Sequence, residues 1–242
     1  MAERSKAAVL KTVEPKGSVG SNPTSSATFP DGVIGSTAGF GPAGRGSSPR
    51  REARNAMKIL KHIARILRHK RWVWYYCKLA GIRWRGFKHD LSKFSPTEFW
   101  ESVYYYTPDE SPIQVAKYEQ GYSEAWLHHK GRNKHHYEYW IDDFDDGGKP
   151  IKMPYKDAME MICDWLAAAH VYGERFSYRH EYKWWRDQVD RGIAMHPDTI
   201  SFVDIVLYRT TQFGNYALRK QYTKKIYGYV EHHHEVEQDE WE

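Results

Sequence analysis

From Met57 onward the apolar positions recur with a helical period. Ile59, Ile63, Ile66 and Leu67 stand at i, i+4, i+7 and i+8, the stripe of an amphipathic helix. The pattern continues through Val73 and Cys77 to Gly81, a suitable left-handed stop. Ser95-Pro96-Thr97-Glu98 has the form of a capping box with proline at the first helical position, and predicts a helix through Tyr104. Ser111-Pro112-Ile113-Gln114 repeats that signal for a helix ending near Gly131. Further helices are predicted over about 134–144, around Met159, Ile162, Cys163 and Leu166 up to Gly173, over 182–189 and over 197–213 with Gly214 as the stop. Residues 145–150 read as a loop, and no segment alternates as a strand does. The expectation is an all-α domain of about seven helices over 57–214, followed by a polar, peripheral C-terminal tail over 215–242.

Residues 1–56 break this picture. They are rich in Gly, Ser and Pro and follow neither period, which is the composition of a disordered extension. A second reading is open. Val19-Gly20-Ser21-Asn22-Pro23-Thr24 can be written in codons as GTC GGT TCG AAT CCG ACC, where complementary GTCGG and CCGAC flank TTCGAAT, the pattern of a transfer-RNA T-arm. On that reading the frame is over-extended and the authentic start is Met57.

Charge and aromatic content divide at the same point. The first 56 residues hold eight Lys/Arg against four Asp/Glu, so of the chain's +5 only +1 belongs to the remaining 186 residues. A near-neutral body disfavours a nucleic-acid partner. Of the 37 aromatic residues only Phe29 and Phe40 precede Met57, so the body can bury a large apolar area. Two cysteines, Cys77 and Cys163, make neither a disulfide framework nor a thiolate cluster and fit a reduced, cytoplasmic setting. No apolar run is long enough to span a membrane.

All thirteen histidines also lie after Met57. The informative ones are His69, the pair His89-Asp90, and His128, His129, His135 and His136 in one short run. Imidazole and carboxylate together suit Mn, Fe, Co, Ni or Zn, and the absence of a cysteine cluster argues against a structural zinc knuckle. Adjacent helical residues point about 100° apart, so one histidine of each pair is expected to face a metal, with His129 and His136 favoured. Asp164 lies in an apolar helix, where a metal or a salt bridge to Lys or Arg would stabilise its charge. Lys130, Arg132 and Lys134 beside the histidines form either a phosphate site or a solvated basic loop. Glu138, Tyr139 and Trp140 read as pocket wall or core, Trp184-Trp185 as core, and His62, His170, His180 and His196 as structural or surface residues.

In order and type, His69, His89-Asp90 and Asp164, with Lys93 three residues after Asp90, resemble the ligand set of the HD-domain phosphohydrolase superfamily. The histidines between the pair and the last Asp are similar to those of members that bind two metals. At finer grain, the phrases from His89 to Phe99 and from Trp126 to Trp140 resemble a family of small bacterial and phage proteins known only as a domain of unknown function. The resemblance implies an HD-like helical bundle holding one or two divalent metals. It implies a hydrolase of nucleotides or other small phosphoesters, with His69, His89, Asp90 and Asp164 at one metal and the 128–136 histidines completing a second. Asp90 and Lys93 would be catalytic, and Lys130 and Arg132 would hold the substrate phosphate. A non-catalytic metal- or nucleotide-binding module of the same fold is the alternative, and a nucleic-acid-binding protein the third.

A chain starting at Met57 is expected to melt like the full chain, because residues 1–56 carry almost no aromatic or periodic apolar content. Loss of several degrees in a thermal melt would refute this.

Overall fold

The computed structural model describes residues 49–142, 148–172 and 176–239. The expected features over 1–48, Phe144, Asp145 to Gly147 and Gly173 lie outside them. Among the described residues there are nine α-helices, three short 3-10 turns and one two-stranded antiparallel sheet. The helices are α1 (Pro49–Leu79), α2 (Arg83–Lys88), α3 (Pro96–Tyr104), α4 (Pro112–Gln120), α5 (Glu124–Lys130), α6 (Tyr155–Tyr172), α7 (Tyr178–Asp190), α8 (Pro197–Phe213) and α9 (Lys220–Asp239). The chain is all-α.

α6 is the centre of the molecule. Every residue from Asp157 to Ala169 is buried, the pattern of a helix covered on all sides. α1 packs along it, burying Val73, Tyr76 and Cys77 against Met159, Ile162, Cys163 and Leu166. The stripe read from the sequence turns slightly: Ile66 is buried, whereas Leu67 is exposed. α1 also begins eight residues before Met57, although its described side chains up to Met57 are exposed.

Four expected elements differ. The single helix over 111–131 is two, because Gly121 at φ +85° ends α4. Ser123 then caps α5 by accepting from the Trp126 amide at 3.1 Å. Glu101 of α3 anchors that start, accepting from Ser123 Oγ at 2.5 Å and from the Ala125 amide at 3.1 Å. The helix expected from Lys134 is instead a turn and a 3-10 segment, Tyr137–Trp140, leading into the strand Ile141–Asp142 paired with Lys149–Pro150. Asn133 explains this, since its side chain donates to the His129 carbonyl at 2.8 Å, a local bond that competes with helix propagation. Ser177 starts α7 four residues before the expected helix by accepting from the His180 amide.

The fourth difference is the C-terminal stretch, which is not a peripheral tail. A 3-10 turn, Gly214–Leu218, and α9 bury Leu218, Ile226 and Val230. Tyr227 donates from its hydroxyl to the Met153 carbonyl at 2.8 Å, and Tyr155 shares a hydrogen bond with Thr223. Apolar positions every three or four residues lie there among lysines and tyrosines, which hid them.

α2 is pressed onto α1 through Gly86, where a Cβ would lie 2.6 Å from Cys77 Cβ and 3.0 Å from Trp74 Cα. Gly86→Ala is expected to lower stability by about 1–3 kcal/mol through overpacking, read as a lower denaturation midpoint at unchanged slope. An unchanged midpoint would show that α2 can move off α1 freely.

Candidate metal centre

Four separate segments deliver side chains to one buried point beside α6. α1 contributes His69 from its inner face, and α6 contributes Glu160 and Asp164, one helical turn apart. The turn after α2 contributes His89 and Asp90. Lys70 holds that turn by donating from Nζ to the carbonyls of Phe87 and His89. Asp90 sits at φ 52° and ψ 32°, the only described non-glycine residue with positive φ. Such a conformation costs on the order of 1–3 kcal/mol and persists where its surroundings enforce it. α5 and the turn after it contribute His129, His135 and His136, all buried.

The polar atoms form two groups that share Asp90. In one, His69, His89, Asp90 and Asp164 have ligand-type atoms all within 4.8 Å of one another. His69 Nε2 lies 2.8 Å from Asp164 Oδ1, and His89 Nε2 lies 3.2 Å from both Asp90 Oδ2 and Asp164 Oδ1. In the other, Asp90 meets His129, His135 and His136. The Nε2 atoms of His129 and His135 each stand 3.3 Å from Asp90 Oδ1. Both ring nitrogens of His69, both Asp90 oxygens and the Nε2 atoms of His135 and His136 are buried without a well-directed hydrogen bond. Buried polar atoms are rarely left so. Their convergence means that these clusters could hold a metal ion.

Two further carboxylates orient the rings from outside. Glu98 accepts from His129 Nδ1 at 2.7 Å and from His128 Nδ1 at 2.7 Å. Glu160 lies 3.0 Å from His89 Nδ1 and 3.5 Å from His135 Nδ1. For His89, His129 and His135 a proton on Nδ1 leaves the Nε2 lone pair facing Asp90, the arrangement that fixes tautomer and ring angle at metal sites. A third group, His89, His135 and Glu160, is also close enough to hold an ion. Glu160 fits better as the ring acceptor, because Arg85 already binds it from Nε at 2.5 Å.

Charge in the cluster is divided. Burial disfavours the charged form of His89, but Asp90, Asp164 and Glu160 outweigh it and raise its pKa well above the usual value. Burial likewise opposes ionisation of Asp90, yet His89, Lys93 and His129 hold its carboxyl well below the usual range. Asp164 is lowered in the same way by His69 and His89. Burial lowers His69, and burial with His135 and His129 beside it lowers His136 well below the ordinary value. Those two rings are neutral, the form that ligates.

A family model covers residues 58–208, well over half of the chain. The chain belongs to the family of unknown function DUF5662. No curated protein and no solved structure matches it. The DUF5662 match runs from α1 into α8 and includes every residue of the cluster. No helix among the described residues is long and apolar enough to cross a membrane.

Of the residues singled out from the DUF5662 sequence, the structure gathers His69, His89, Asp90, His129, His135, His136 and Asp164. His128 is turned away to Glu98. His135 and His136 both face Asp90, because they lie on a turn where the 100° helical rotation does not apply. Asp164 has histidine partners, with no Lys or Arg at ion-pair distance among the described residues. Lys93 lies 2.6 Å from Asp90 Oδ2, and although burial opposes its charge, Asp90 and Asp164 raise its pKa.

Lys130 and Arg132, expected at a substrate phosphate, lie apart from the cluster's cavity. Neither lines it, and Arg132 is exposed. Its cations are Arg65, Lys93 and Lys117. Sequence reasoning also missed Glu98, read only as a helix cap, and Glu160. The signal for Glu160 was there: Asp157, Glu160 and Asp164 fall on one face of an otherwise apolar helix.

DUF5662 protein purified without a tag is expected to carry one or two divalent transition-metal ions per chain. Asp90→Ala should remove nearly all of the metal, since both groups share that carboxylate, whereas His136→Ala should leave one ion. Metal analysis showing a full complement in Asp90→Ala would disprove the shared centre. Affinity should fall with decreasing pH, because metal must displace the proton held on His89. As that pKa is raised, the loss should begin above the usual imidazole pKa of about 6.5.

Proposed function

We propose that the chain is a metal-dependent phosphohydrolase acting on a small phosphoester, with a centre resembling that of the HD superfamily. The observation that carries this is a buried carboxylate, Asp90, shared by two histidine–carboxylate groups at the wall of a cavity. His69, His129, His136, Asp164 and Lys93 all line that cavity of about 100 Å³, so a ligand entering it meets the cluster and a cation together.

In this reading His69, His89, Asp90 and Asp164 hold one divalent metal, and Asp90, His129, His135 and His136 hold a second. When bound, the metal supplies Lewis acidity toward a phosphoryl oxygen and lowers the pKa of a water. Glu98 and Glu160 keep the ring nitrogens aimed, and Asp90 accepts and positions the attacking water's proton. Lys93 Nζ, held by Asp90 at 2.6 Å, offsets charge that builds on the phosphoryl oxygens.

Protein loaded with Mn or Co is expected to hydrolyse members of a panel of phosphomonoesters, phosphodiesters and nucleotides. Asp90→Asn should lose more activity than metal. Lys93→Ala should keep its metal but turn over on the order of 10²-fold more slowly, as when other single transition-state donors are removed. A panel silent with metal demonstrably bound would favour a non-catalytic binding module. Activity that survives Asp90→Asn would place the chemistry elsewhere.

A further inference from the structure

The cavity extends beyond the residues this mechanism uses. His62 lies on the same face of α1 as His69, seven residues earlier and therefore about 10 Å along the helix. It is 6% exposed, lines the cavity, and neither ring nitrogen has a hydrogen-bond partner. Phe99 and Tyr106 pack edge-on against the ring, which holds it without satisfying it. Ser102 of α3, and Ser111 and Gln114 at the start of α4, line the same cavity.

These groups share one chemical character. Burial, aided by Lys93 and Arg65, lowers His62 to a pKa of about 4, so at neutral pH its ring presents one donor and one acceptor. Two serine hydroxyls and an amide are likewise both donor and acceptor. A subsite for a second anion would present donors alone. Of the cations that could have supplied them, Arg65 is engaged with the carbonyls of Thr107, Pro108 and Glu110, and Lys117 Nζ lies over the Trp126 ring, 5.0 Å from its centroid. Groups that both donate and accept are what a hydroxyl requires.

Size narrows the choice further. A cavity of about 150 Å³ accepts a benzene ring, and this one measures about 100 Å³. The cavity opens to solvent, so its size favours a small hydroxylated group over a larger nucleobase.

We infer that the His62 end of the cavity binds the hydroxyl groups of a small sugar or polyol phosphate whose phosphate lies at the Asp90 cluster. The inference rests on the phosphohydrolase reading and specifies its substrate class. His62 and Gln114 act as positioning residues, outside the metal ligands.

The test is calorimetric binding to the metal-loaded full chain, with inorganic phosphate, glycerol 3-phosphate, ribose 5-phosphate and adenosine monophosphate as probes. One of the two hydroxylated esters is expected to bind on the order of tenfold more tightly than inorganic phosphate, the gain from one or two net hydrogen bonds. In His62→Phe, which keeps the ring packing, and separately in Gln114→Leu on another helix, that ratio should fall toward one. Metal content and melting temperature report whether each variant is folded. A ratio near one in the unaltered protein overturns the inference and leaves the phosphate reading standing. So does a preference that both folded variants retain, or tightest binding of the nucleotide. Failure of every probe, inorganic phosphate included, overturns both.

Discussion

The buried carboxylate of Asp90 is the constraint around which the fold is arranged. An ionised group taken out of water is costly unless charged or polar partners surround it. Here the partners come from separate stretches of chain: His69 from α1, His89 and Lys93 from its own turn, and His129 and His135 from the region of α5. Each can reach Asp90 only if its own element is in place. The positive φ at Asp90 adds to the demand, because a strained residue holds its conformation only when the surroundings enforce it. The turn is enforced by Lys70 on its carbonyls and by Gly86, which lets α2 lie against α1.

Much of this was legible in the chain. Pro197–Phe213 was read nearly to the residue, as was the end of α1 before Gly81, whereas the start of α1 lies eight residues earlier than its apolar stripe suggested. Histidine and aspartate stand out in apolar or patterned surroundings, so most of the cluster's members could be named as candidates. Failures came where a local hydrogen bond competed with periodicity, as Asn133 does after α5. They also came where apolar positions were diluted by polar ones, as in α9. Cavity walls were the least legible, because Lys117 and Gln114 differ in no sequence property from ordinary surface residues and only packing makes them neighbours of His69.

Glu98 shows how one residue can be read correctly and incompletely. Its place three residues after Ser95 is that of a capping box, and the Ser95 half exists, with Oγ accepting from the Glu98 amide at 3.4 Å. The reciprocal half, a carboxylate reaching back to the cap amide, is not made. The Ser95 amide instead donates to the Ser92 carbonyl at 2.7 Å, and the carboxylate of Glu98 holds His128 and His129. The start of α3 thus serves as scaffold for the rings of α5. A helix-start signal in the sequence marked a residue whose larger task is to aim two histidines.

Charge balance bears on how the cluster could hold a cation. Asp90, Glu98, Asp157, Glu160 and Asp164 are all buried, and only Arg85 and Lys93 pair with any of them as permanent cations among the described residues. Protons on His89 and His129 make up part of the deficit, which is why neighbouring carboxylates raise both rings despite burial. A fold that needed only internal ion pairs could have placed Lys or Arg at these positions, and replacing such pairs with apolar residues often costs nothing. Histidine differs because it can give up its proton near neutral pH and offer a lone pair in its place. A divalent ion would then compensate the same carboxylates that the protons do, and the ligand geometry would already be set by Glu98 and Glu160 from behind.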